Sequence, residues 1–141
     1  MRIIGMWLRN IYKKKRLILS ILYVGVILWI TIFSRTPGYQ RIFKGIFWEM
    51  QMGYWSDIVL NILLFVPLGM LVGGKRAIII GITLSLYIEF CQYVFVLGYC
   101  EIDDILNNTM GTVLGSCLIN KYEKRIEELC IRLKKYVFRI W

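Results

Sequence analysis

The sequence predicts an all-α fold: a polytopic membrane bundle of about four transmembrane helices, with N- and C-terminal amphipathic basic helices. Two observations lead there. Of its 141 residues 58% are hydrophobic, yet the formal net charge is +9; soluble domains are nearer about 45–50% apolar. The apolar residues also fall in blocks of membrane-spanning length with the charges between them, the pattern of a chain that uses the bilayer rather than a larger core. A basic chain also suits nucleic acid, but blocks of this length argue against that partner.

Residues 1–16 form a basic arm in which Ile3, Ile4, Trp7, Leu8 and Ile11 follow helical spacing and Lys13, Lys14, Lys15 and Arg16 close the segment. That pattern fits a helix lying on the membrane surface, and equally a disordered positive tail. Leu17–Phe33 is uncharged and long enough to cross. It stops at Arg35 and Pro37, with no small-residue cleavage site that would mark a signal peptide. Gly38–Ser56 is rich in aromatics, and its apolar positions 39, 42, 43, 46, 47 and 50 have helical spacing, which predicts an interfacial helix. Asp57–Gly74 is the second span, with Pro67 inside it, and Ala77–Leu97 is the third, interrupted by Glu89 and Gln92. The fourth, about 105–120, carries Asn107, Asn108 and Thr109 in its first turn and a Gly111/Gly115 pair that permits close helix approach. Beyond it, 121–141 is a basic amphipathic tail: Tyr122, Ile126, Leu129, Leu133, Tyr136 and Ile140 repeat at steps of three and four. An interfacial helix or a coiled-coil dimer satisfies that pattern.

Lysines and arginines fix an orientation. The arm, the Lys75-Arg76 turn and the tail hold fifteen, whereas the 34–56 and 98–104 loops hold three. Positive residues stay in the cytoplasm, so both termini are expected inside the cell membrane and both loops outside. There are four cysteines (Cys91, Cys100, Cys117, Cys130) and no histidine. No CxxC pair is present, so the cysteines read as structural and no metal or cofactor is expected.

In this orientation the polar residues of the spans share one depth. Asp57 and Asn61, four apart, lie in the outer turns of the second span. Glu89 is about 18 Å along the third helix from Ala77, in the outer half of a ~30 Å core; Gln92 shares its face. Asp103, Asp104 and Asn108 open the fourth span, and Arg35 closes the first as the natural counter-ion of Glu89. A carboxylate at Glu89's depth costs on the order of 3 kcal/mol unless paired or protonated. Blander roles exist: Glu89 as a neutral packing residue, Asn108 as interhelical glue, Asp103 and Asp104 as favourable charge at a helix start.

Four segments in order resemble the VanZ-like family. Asn61-Ile62-Leu63-Leu64-Phe65-Val66-Pro67-Leu68-Gly69 resembles its N-x-x-x-F-x-P-x-G signature, and Ile88-Glu89-Phe90-Cys91-Gln92 its I-E-x-x-Q. The stretch Asp103-Asp104-Ile105-Leu106-Asn107-Asn108-Thr109-Met110-Gly111 resembles its D-D-hydrophobic-x-x-N-T-x-G, and Ser34-Arg35-Thr36-Pro37 the end of its first helix. Relatives often have Arg where this chain has Tyr99 and Asp where it has Glu101. The resemblance makes 17–120 a VanZ-like transmembrane domain between the basic cytoplasmic arm and tail. It implies a bacterial membrane protein, some of whose relatives give low-level teicoplanin resistance.

Residues and resemblance together nominate Arg35, Asp57, Asn61, Glu89, Gln92, Asp103, Asp104 and Asn108 as ligand-binding; no catalytic residue is assigned. The expected function is binding of an envelope lipid, a lipid-linked cell-wall precursor or a lipoglycopeptide, contributing to glycopeptide resistance. The alternatives are an intramembrane enzyme acting on a lipid-linked substrate through Glu89 and Asp104, in which Asp103, Asp104 and Glu89 would hold a divalent cation if one is used, or a small transporter subunit. Expected partners are membrane lipids and such a ligand, not nucleic acid, with a homo-oligomer through Gly111 and Gly115 left open.

Overall fold

The computed structural model describes residues 2–38 and 41–140, with side chains described for 12–38, 41–126, 128–129 and 131–132. The expected apolar stripes at Ile3, Ile4, Trp7, Leu8 and Ile11 and at Leu133, Tyr136 and Ile140, together with Tyr39 and Cys130, fall outside the described side chains. The order is α1 (Arg2–Leu28), which continues as a π-helical turn over Trp29–Phe33, β1 (Ile42–Lys44), α2 (Trp48–Met52), α3 (Trp55–Val72), α4 (Gly74–Phe95), β2 (Tyr99–Glu101) and α5 (Ile102–Ile140). The fold is all-α apart from one pair of three-residue strands.

Tyr12–Phe33, α3 and α4 are long and apolar enough to cross a membrane. The first half of α5 falls short of that composition because its buried face is polar: Asp103, Asn107, Asn108, Thr112 and Ser116 point inward. Its outer face carries Leu106, Met110, Leu114 and Leu118 at steps of four, each about half exposed. Small polar residues inside and large apolar ones outside reverse the pattern of a soluble helix, and suit packing in lipid.

Two expected boundaries are absent. The basic arm and the first span form one continuous helix, and so do the fourth span and the tail, since no Gly or Pro interrupts either junction. The loop expectation is also corrected. Among the described residues of the 38–56 stretch, Trp48–Met52 and the first two residues of α3 are helical, and Ile42–Lys44 instead pairs in parallel with Tyr99–Glu101, Phe43 opposite Cys100. A parallel partner distant in sequence leaves no local periodicity to find.

The helices run alternately up and down, so α1 ends, α3 begins, α4 ends and α5 begins at one end of the bundle. At the other end Arg16 ties three helices together. Its Nε and Nη2 donate to the Leu71 and Met70 carbonyls at 2.9 and 3.0 Å, filling acceptors that the end of α3 leaves open. Its Nη1 pairs with Glu123 at 2.6 Å. Pro67 cannot donate to the Leu63 carbonyl, and beside that gap the Tyr23 hydroxyl donates to the Leu64 carbonyl at 2.8 Å. The apolar core is small: Ile27, Phe65, Leu68 and Ile88.

The most extensive helix pairing is α3 with α5. A Cβ on Gly111 would strike the Ile62 carbonyl, one on Gly115 the Val66 carbonyl, and one on Gly69 the Thr112 carbonyl. The glycine pair is therefore consumed within the chain, which removes it as the expected seam for a homo-oligomer. Gly115→Val is expected to lower stability by about 1–3 kcal/mol or more, because backbone and not a flexible side chain would have to move. Thermal unfolding in detergent micelles measures it against Gly25→Val, where nothing lies within 4 Å. Equal midpoints for the two variants would contradict the packing.

Candidate functional site

The end where α3 starts and α4 finishes gathers the acids. Asp104, in the first turn of α5, accepts from Asn61 Nδ2 on α3. Glu89 on α4, 3% exposed, accepts from the Glu101 amide at 2.8 Å through Oε2, and its Oε1 has no partner. Asn108 Nδ2 donates to Ser85 Oγ at 2.9 Å, joining α5 to α4. Gln92 Nε2 donates to the Thr31 carbonyl at 3.2 Å. Thr31 lies in the π-helical turn, where ladder spacing shifts and the Ser34 amide reaches back to Trp29 at 2.8 Å. Asn61, Glu89, Gln92, Asp104 and Asn108 thus tie all four long helices together at this level.

The remaining nominated residues take other parts. Asp103 faces no ligand space: its carboxylate accepts from the Phe47 and Glu49 amides at 2.7 and 3.1 Å. That grip holds Phe47 at a φ of 64°, a left-handed conformation costly for a bulky side chain. Arg35 is exposed and forms no ion pair with Glu89; among the described residues the ion pairs are Arg16–Glu123 and Lys44–Glu101. Asp57 is exposed at the rim. The described cysteines, Cys91, Cys100 and Cys117, are free thiols.

Sequence reasoning missed Glu49, Glu101 and Asn107 as site residues. Glu49 is 3% exposed, and its Oε2 accepts from Asn107 Nδ2 at 2.7 Å. Glu101 pairs with Lys44 Nζ at 2.9 Å, directly across the β1–β2 register. One carboxylate oxygen each from Glu49, Glu101 and Asp104 lies within 4.8 Å of the others. Above Glu49 and Glu101 opens a cavity of about 380 Å³, walled by Trp48, Tyr54 and Tyr99 with Lys44 and Asp57 at its sides. Lys44 Nζ also sits 3.5 Å from the centre of the Tyr99 ring. The site is amphipathic: an aromatic wall over a carboxylate floor.

Burial, then repulsion from Asp104 and Glu101, pushes the Glu49 carboxyl from an ordinary value of 4.5 up to about 7. Burial, then the neighbouring Glu89, raises the Cys100 thiol.

The VanZ/LLP1 family model matches residues 18–122. Protein VanZ of Enterococcus faecium is 24% identical over 120 residues, covering 76% of this chain and 74% of that protein. No solved structure matches.

Two outcomes follow from this geometry. Between about pH 4.5 and 7 Glu49 keeps its proton in the native protein while the unfolded chain loses it. The unfolded state then binds fewer protons, so Glu49's contribution to stability falls as pH rises through that window and is level above it. In chelator-containing micelle buffer the unfolding midpoint is expected to decline over this range, and to decline less in Glu49→Gln. Identical slopes would contradict the assignment. Asp103→Ala removes both loop hydrogen bonds and is expected to cost about 1–3 kcal/mol. Faster proteolysis between residues 45 and 54 would report it, and an unchanged cleavage rate would count against the tether.

Proposed function

The chain belongs to the VanZ/LLP1 family, and from that premise we propose that it crosses the cell membrane four times and binds an envelope ligand at its outward-facing polar end, contributing to teicoplanin resistance. The ligand class is an envelope lipid, a lipid-linked cell-wall precursor or a lipoglycopeptide. The observation that carries this reading is the cavity of about 380 Å³ with aromatics over carboxylates. Apolar and aromatic walls with a few placed polar groups are the usual make-up of a small-ligand site. Its position at the membrane edge suits a molecule with both a polar head and an apolar tail.

Charge supports the orientation. Lys13, Arg16, Arg76 and Lys121 lie at the end of the bundle opposite the cavity, as the ties from Arg16 to α3 and α5 require. The positive-inside rule puts that end, and with it both termini, in the cytoplasm. The stripe Leu106, Met110, Leu114 and Leu118 supplies the lipid-facing side that a fourth crossing at the start of α5 needs.

Expression in a glycopeptide-susceptible bacterial host is expected to raise the inhibitory concentration of teicoplanin selectively over that of vancomycin. Trp48→Ala, expressed to the same level in the membrane, is expected to lose most of that shift. No selective shift, together with no lipid retained on purification, would overturn the proposal.

A further inference from the structure

We propose that Glu49, Glu101 and Asp104 form a binding site for a hard divalent cation of the Mg²⁺ or Ca²⁺ class, with Glu89 standing beside it as a fourth carboxylate. The inference uses the same end of the bundle as the proposed ligand site but does not need an envelope ligand.

Geometry comes first. Two oxygens on one Ca²⁺ ion, each at about 2.4 Å, lie no more than about 4.8 Å apart. The three carboxylate oxygens meet that condition as they stand, drawn from α2, β2 and α5. They are preassembled by other contacts: Asn107 holds Glu49, Lys44 holds Glu101 and Asn61 holds Asp104. The donors are all oxygen, with no imidazole or thiolate among them, which selects hard cations over zinc or copper.

The second observation is independent of the trio. Glu89 is 3% exposed, its Oε1 is buried without a hydrogen bond, and the Cys100 thiol lies beside its carboxyl. Its other oxygen rests on the backbone amide of Glu101, one of the three, and its charge acts on Asp104, another. A buried acceptor without a donor costs about 1–3 kcal/mol, and more when charged. What such an oxygen lacks is a positive partner, and the trio is where one fits. Gln92 Oε1 and Asn108 Oδ1 are also buried without donors, so among the described residues three of the four buried unpaired side-chain atoms are acceptors, the fourth being the Trp48 Nε1 donor.

Charge points the same way. With Asp57 and Asp103 included, six carboxyl groups gather at this end, against the ammonium of Lys44 and the guanidinium groups of Arg35 and Arg41. A divalent cation brings that balance close to neutral. It would also let an anionic headgroup, such as a phosphate, approach a surface that would otherwise repel it.

The test uses the full chain purified in detergent micelles after chelator treatment. Mn²⁺ serves as the probe, followed by loss of the free-ion electron paramagnetic resonance signal, with Mg²⁺ and Ca²⁺ as competitors. About one Mn²⁺ per chain is expected, displaced by Mg²⁺ or Ca²⁺. Glu49→Gln and Asp104→Asn are expected to weaken it at least tenfold, whereas Glu128→Gln, exposed on α5 far from the trio, is not. Should those two variants fail to fold, Tb³⁺ luminescence of the wild-type chain locates the site through Trp48, which lines the adjoining cavity: Trp48→Phe should remove most of the sensitised emission. Absence of Mn²⁺ binding at millimolar concentration overturns the proposal, as does binding that survives in folded Glu49→Gln and Asp104→Asn. Tb³⁺ emission indifferent to Trp48 overturns it too. Cation binding without any teicoplanin phenotype would sink the function proposed above and leave this site standing.

Discussion

The contact on which the rest depends is the backbone-to-backbone approach of α3 and α5. In lipid the apolar tails compete equally well for apolar side chains, so helices gain by packing closely rather than by hiding from water. Gly69, Gly111 and Gly115 leave no room for a single carbon beyond Cα, and each faces a carbonyl of the other helix. That contact fixes register. With Gly111 against Ile62, the adjacent Asn61 meets the start of α5 and reaches Asp104. The same face then brings Asn108 to Ser85 and Ser116 to the Gly74 carbonyl at 3.2 Å.

Once the helices are locked, the polar end becomes a problem of satisfying buried oxygen atoms. Asp103 solves its part with two backbone amides and in doing so folds the aromatic loop over the site. Glu49 arrives through that loop and finds Asn107. The short β1–β2 pair sets Lys44 against Glu101. Glu89 is left half-satisfied among acids. A bundle of this size gains little from such a cluster in stability, since buried charges cost several kcal/mol each before any pairing. The cluster makes better sense as the proposed site for an ion or a ligand.

Much of this was readable in the residues. The apolar blocks placed α3 and α4 to within three residues at each end, and the signature motifs picked out Asn61, Glu89, Gln92, Asp104 and Asn108, which the fold brings to one level. What was hidden depends on long-range pairing. Glu49 sits in an aromatic stretch with helical spacing, and nothing local says that the stretch is drawn down by Asp103, 54 residues on. Lys44 and Glu101 meet only because two three-residue strands pair in parallel. The glycine pair on α5 is a seam in either case; spacing alone cannot say whether the helix it meets belongs to the same chain. Helix ends drawn at changes of charge failed for a related reason: polarity changes at Arg16 and at Lys121, but backbone preference does not.

In the proposed orientation the polar end faces outward, across the membrane from the basic end. Single cysteines at positions 57 and 121, in a background with the native cysteines replaced, test this with a membrane-impermeant thiol reagent. The expected result is labelling of position 57 in intact cells and of position 121 only after the membrane is opened. Labelling of 121 alone in intact cells, or of both positions, would contradict the orientation and with it the outward-facing site.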